Sequence, residues 1–274
     1  MNGKLILIAS ALIAILAVTA AGTGLLTDLY KNDTKSGAAQ ARGNDLVVLV
    51  FCVPLLIISA FFAAKDSLRG RLVWTGTVFF FLYTYASMSF LAAYNYMFLV
   101  YVAAFSLSLY AFSISVLTLD VRKVGDSFAG APVKATACFM YFAALALALM
   151  WLGGVILPSL ASGERPAVLE TYTTLVIQAL DLGIIMPLAV ITGTLLLKRD
   201  AWGYVLASLV LIKAVTIGTG VVSMGLFQIM DGIEVAPLMM ITFVVITMGA
   251  MALTAVFYGK MKAPAVTLEK APAV

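Results

Sequence analysis

The sequence predicts an all-α integral membrane protein with eight transmembrane helices, and three observations carry that prediction. Of its 274 residues, 63% are hydrophobic and only 11% are charged, whereas soluble domains carry about 25% charged residues. The apolar residues fall in long blocks, each near the ~20 residues that cross a bilayer. The charges gather in the short stretches between those blocks. The expected surrounding is therefore the lipid bilayer of a cell membrane, crossed many times (the cytoplasmic membrane in a prokaryote). The net charge of +4 reads as topological rather than as a surface for nucleic acid.

Taken in order, the first span covers 4–27, an apolar run preceded by a single lysine. The segment "AVTAAG" inside it resembles a leader cleavage site, but the run is long and the repeat described below needs it as a span. Span 2 covers 46–64 and contains Pro54, and span 3 covers 72–93, opening after Arg69 and Arg71. Span 4 covers 97–119, span 5 covers 135–160, and span 6 covers 172–197 with Pro187 inside it. Span 7 covers 203–228 and span 8 covers 236–258. The tail, 260–274, repeats KAPAV and is Ala/Pro-rich, the composition of a disordered cytoplasmic end.

Orientation follows from the connections. Lys4, Lys65, Arg69, Arg71, Arg122, Lys123, Lys134, Lys198, Arg199, Lys260, Lys262 and Lys270 fall on one side. The other side holds Lys31, Lys35, Arg42 and Arg165 with the acids Asp28, Asp33, Asp45, Glu164, Glu170, Asp231 and Glu234. The positive-inside rule then places both termini in the cytoplasm. Trp74, Trp202 and Tyr204 fall at the inner interface, where amphipathic rings are enriched.

A shift of 133 residues lays the second half of the chain on the first. Pro54 meets Pro187, Lys65 meets Lys198, Gly70 meets Gly203, and "VA" at 102–103 meets "VA" at 235–236. The expected organisation is a half of four spans at 1–130 and a second at 131–259. Four spans return the chain to its starting side, so the halves would be related by a pseudo-twofold axis along the membrane normal. Each half has one proline-interrupted span. Proline removes a backbone donor and clashes with the carbonyl four residues back, so Pro54 and Pro187 predict helix kinks.

Two charges lie inside apolar blocks: Asp181 in "IQALDLGIIMP" and Lys213 in "LVLIKAVTIGTG". A charge at the bilayer centre costs at least ~2.5–3.5 kcal/mol, and such residues pair or line cavities. Either the two form a buried ion pair that fixes helix packing, or both line a polar site near the midplane. Gln178 accompanies Asp181 on one helix face, Thr216 accompanies Lys213, and Tyr83 and Tyr110 mark polar stripes on spans 3 and 4. These six are the candidate site residues. A small polar or zwitterionic solute suits one charge of each sign. The lysine is similar to the retinal-binding lysine of microbial rhodopsins as a bare residue, but "LVLIKAVTIG" lacks the Asp four residues before it.

Histidine is absent, which removes His-ligated haem and the usual zinc sites. No metal or cofactor is implied, and Cys52 and Cys138, both in apolar runs, read as small core residues. No nucleophile–base spacing stands out, so an enzyme is the weaker reading. The expected function is a small transporter or permease. The alternative is a membrane sensor or an accessory subunit, associating with its own copies or with a partner membrane subunit.

Overall fold

The computed structural model describes residues 1–262; most of the Ala/Pro-rich tail lies outside the described residues. All the regular structure described is helical. In chain order it comprises α1 (Gly3–Leu26), α2 (Lys35–Ala64), α3 (Leu68–Leu91), α4 (Phe98–Leu117), the short α5 (Val121–Ser127), α6 (Val133–Ser162), α7 (Val176–Leu197), α8 (Ala201–Met230) and α9 (Pro237–Gly259). Seven of these, all except α3 and α5, are long and apolar enough to cross a membrane. The protein is thus an all-helical, multi-pass membrane protein.

The third expected span, α3, has 24 residues but is the most polar of the long helices. It carries Arg69, Arg71, Thr75, Thr77, Tyr83, Thr84 and Tyr85 and is buried along most of its length. A helix surrounded by protein rather than lipid can carry polar groups if they find partners. Trp74 donates its Nε1–H to Ser10 Oγ at 2.7 Å, and Thr75 and Ser115 hydroxyls meet at 2.6 Å. Trp74 and Tyr204 are therefore core residues, not the interfacial rings expected. Trp202 alone of the three is exposed. Helices α3 and α8 pack against each other at the centre, and the remaining helices surround them.

The described residues form two apolar cores. One cluster runs through Ile13, Ala17, Leu56, Phe80, Phe81 and Tyr101. The other joins Phe128, Met140, Leu196, Leu211 and Phe257. Outward faces carry Ile8, Ile15, Ile58, Phe61, Leu145 and Met248, all exposed, as lipid-facing surfaces require. Cys52 is buried, but Cys138 is on the exposed face of α6, contrary to the core position expected of it.

The backbone before Pro54 and before Pro187 takes the same form. Val48–Cys52 and Asp181–Ile185 are π turns, each ending just before a residue–proline pair. Val53 donates to the carbonyl of Val48, and Met186 donates to that of Asp181, five residues back in each case. Widening the turn by one residue moves the chain away from the proline ring, which the regular ladder cannot accommodate. A third, longer π segment, Leu149–Ile156, precedes Pro158 in α6 and was not anticipated.

The hairpins joining α2 to α3 and α7 to α8 share one geometry at positions 133 residues apart. Asp66 (φ 60°) and Arg199 (φ 55°) occupy the left-handed region. The Ser67 N–H donates to Phe62 O at 3.1 Å, and the Asp200 N–H to Leu195 O at 3.0 Å, the long bond of a Schellman motif. Ser67 and Asp200 then each cap the next helix with a side-chain oxygen. Gly70 and Gly203 follow where no Cβ fits, since it would lie 2.6 Å from Phe62 Cβ or from the Leu195 carbonyl carbon.

Helix α2 starts eleven residues before the expected 46. Thr34 caps it, accepting from the Gly37 N–H at 2.9 Å. The polar stretch "KSGAAQARGND" looks like a loop in isolation, but it lies along α8, where Gly43 meets the Met224 backbone and its carbonyl accepts from Ser223 Oγ at 2.7 Å. Asp45, read as a loop acid, is consequently buried and accepts from Tyr30 Oη at 2.6 Å.

Candidate functional site

A cavity of about 400 Å³ opens among the helices, lined by α2 and α3 and by α6, α7, α8 and α9. Asp181 and Lys213 both line it, and both are buried.

Three chemical groups organise its polar end. Asp181 stands at the first position of the α7 π turn, so the wide turn before Pro187 sets its direction. Its Oδ1 accepts from Tyr83 Oη at 2.7 Å, and its Oδ2 accepts from Trp151 Nε1 at 2.9 Å. Trp151 itself comes from the π segment of α6. Both carboxylate oxygens are thereby satisfied by groups from two other helices. Charge-assisted bonds of this kind are about twice as strong as neutral ones.

Lys213 is placed differently. Its side chain is 3% exposed, and its Nζ lies 3.9 Å from the centroid of the Tyr83 ring and 6.0 Å from that of Phe79. A direct ion pair with Asp181, one of the two alternatives, is not formed: the one salt bridge among the described residues joins Arg42 and Asp231. Tyr83 stands between the charges instead, its hydroxyl on the carboxylate and its ring face on the ammonium. The reason is reach. The lysine stem stops over the ring, where the electron-rich face attracts a cation without supplying a lone pair.

The other candidates divide. Gln178 lines the cavity one turn before Asp181, and its amide makes no hydrogen bond among the described residues. Thr216 does not line the cavity; it is fully buried and bonds back to the carbonyls of Ile212 and Lys213, both at 3.0 Å. Tyr110 lies outside the site, exposed on the outward face of α4. The buried polar face of that helix is Ser108 and Ser115, rotated away from the stripe that the sequence suggested.

Toward the acidic side the cavity is bounded by loops that meet at Asp33. Its Oδ1 accepts from the Ala93 N–H at 2.8 Å and from Tyr172 Oη at 3.0 Å, which ties together the connections before α2, after α3 and before α7. Burial raises the Asp33 carboxyl above the usual range, and these two bonds offset part of the rise. Burial likewise pushes the Tyr172 phenol up to about 12. Tyr172 covers Gly37, where a Cβ would lie 2.1 Å from its oxygen.

Sequence reasoning missed Trp151 and Tyr172. The signal for Trp151 was a lone indole N–H in an apolar span ahead of a Gly-Gly pair, since a buried Trp donor needs an acceptor. The apolar walls include Met88, Met140, Met224, Met240, Phe139 and Phe243.

No protein-family model matches the sequence, and no curated protein and no solved structure matches the chain.

Proposed function

We propose that the chain is a small transporter of eight spans, in which α3 is the eighth and the cavity between the halves is the solute site. The observation that carries this reading is the cavity itself. It is lined by both halves and holds two buried charges of opposite sign, the arrangement expected of a midplane site at a repeat interface. The paired π turns, the paired Schellman hairpins and the paired close-approach glycines, all 133 residues apart, support two tandem halves about an axis along the membrane normal. Arg69 reaching the carbonyls of Tyr258 and Met261, and Arg71 reaching Ser115 and Thr118, gather base at one end of the bundle. That supports cytoplasmic termini by the positive-inside rule.

A second reading, a sensor or accessory subunit, has its own observation. Asp181 joins α7 to both α3 and α6 through Tyr83 and Trp151, a link that serves packing with or without a moving solute. Uptake of labelled solutes into proteoliposomes separates the two. The transporter reading expects uptake of some solute, lost in Asp181→Asn and Lys213→Met. If no solute in a broad metabolite panel moves charge or label while the purified protein binds one of them, the sensor reading replaces it.

A further inference from the structure

We infer that the cavity takes a small organic anion with an apolar body, a carboxylate being the simplest, and that a proton is taken up on Asp181 as the anion binds. The inference deepens the reading of the cavity as a solute site and rests on that reading.

The sign of the ligand follows from which hydrogen-bonding capacity is left over. An ammonium has three donors and no acceptor. Lys213 spends none of them: it makes no hydrogen bond and no ion pair among the described residues, and it is held by the ring faces of Tyr83 and, farther off, Phe79. Asp181 has about four acceptor sites, of which Tyr83 and Trp151 each take one, on different oxygens. The wholly unspent capacity is thus donating and positive. A cationic ligand would share a carboxylate already bonded on both oxygens and would have to sit beside an ammonium.

The apolar body follows from the walls. Five methionines and two phenylalanines line the cavity, and methionine side chains adapt to irregular apolar shapes. At about 400 Å³ the space suits a small molecule.

The proton follows from charge balance. The empty site holds one positive and one negative charge, separated by a single tyrosine. An added monoanion leaves one uncompensated negative charge away from water, which is strongly unfavourable. A proton from solvent, bound to Oδ1 of Asp181, restores neutrality. No bond other than O–H forms, and the Tyr83 hydroxyl turns from donor to acceptor for the new carboxylic O–H, as a phenol can. The other groups facing Asp181 do not compete for this role. Trp151 on α6 and Gln178 on α7 do not titrate, and Lys213 on α8 is the ammonium with which the anion pairs. Tyr30, Asp33, Glu170 and Tyr172 line the cavity farther off, on the loop side.

The test is calorimetric titration of the purified full chain in lipid nanodiscs with hexanoate, hexylammonium and hexanol. Repeating it in two buffers of unequal ionisation enthalpy counts protons. Hexanoate should bind in preference to both others, with uptake approaching one proton per anion near neutral pH. Lys213→Met should weaken hexanoate binding by roughly tenfold or more, as loss of a charge-assisted bond implies. Lys213→Arg should keep the preference for the anion, which separates charge from folding. Asp181→Asn should bind hexanoate without proton uptake. Preference for hexylammonium, unchanged binding in Lys213→Met, anion binding without a proton in the native protein, or no hexanoate binding would each overturn the inference. Binding with proton uptake but no hexanoate flux in proteoliposomes would leave the anion site standing and sink the transporter reading. Flux of some other solute, sensitive to both variants, with no anion binding would do the reverse.

Discussion

Removing the Tyr83 hydroxyl tests whether one side chain links the two buried charges. Tyr83→Phe keeps the ring beneath Lys213 but deletes the donor to Asp181 Oδ1, leaving the carboxylate with Trp151 alone. A hydrogen bond to a charged, buried group contributes about 1.5–3 kcal/mol, so a loss of that size is expected. Tyr83→Leu also removes the aromatic face, and a desolvated cation–π contact adds about 2 kcal/mol. The combined loss should be roughly 3.5–5 kcal/mol. The assay is reversible unfolding in mixed micelles, with Tyr110→Phe as the control because that hydroxyl is exposed on the bundle exterior. Trp151→Phe should resemble Tyr83→Phe, since each removes one of the two donors. If Tyr83→Phe changes stability no more than the Tyr110 control, or if Leu costs no more than Phe, the bridge does not carry the energy assigned to it.

Four further outcomes follow from other parts of the structure. Gly70→Ala and Gly203→Ala should each destabilise by about 1–3 kcal/mol, the usual penalty of overpacking, because the added Cβ meets the preceding helix at 2.6 Å; a melt unchanged in either would break the equivalence of the hairpins. Asp66→Gly and Arg199→Gly should each stabilise by roughly 1 kcal/mol by relieving a left-handed non-glycine residue, read from the same unfolding curves. At Asp33 the folded carboxyl is raised from its ordinary 3.8 by burial. The associated stability is therefore fully present below that value and is lost as pH rises through the raised folded value. Asp33→Asn should flatten this stretch of the pH–stability curve while keeping both bonds, whereas Asp33→Ala should destabilise at every pH. For topology, cysteines at Lys65 or Lys123 should resist impermeant thiol reagents in intact cells, while those at Lys31 or Ser162 should label; all four positions are exposed. Labelling at Lys65 from outside would reverse or break the eight-span arrangement.

Much of the architecture was legible because lipid imposes one rule on every residue: a backbone in hydrocarbon must be helical and its surface apolar. Blocks of apolar residues therefore marked α1, α4, α6, α8 and α9 within a few residues of where they lie. The proline positions marked where the backbone leaves the regular α ladder, since a missing N–H is a property of the residue itself. The buried charges pointed to a pair or a cavity, since their insertion cost does not depend on the partner found.

What failed has a common cause. Whether a polar segment is loop or helix depended on a neighbour: "KSGAAQARGND" is helical because α8 covers it and accepts its glycine at close range. Which side of α4 faces inward was set by its packing on α3, so Ser108 and Ser115 are buried while Tyr110 is not. The sequence by itself determined that Asp181 and Lys213 are both costly in lipid, and so that the interior is polar where they lie. Only the tertiary structure decided that they do not touch. Lys213 stops over the ring of Tyr83, and Tyr83 and Trp151 reach Asp181 from helices nearly a hundred residues before it and thirty residues before it. No local spacing encodes hydrogen bonds between side chains so far apart in the chain.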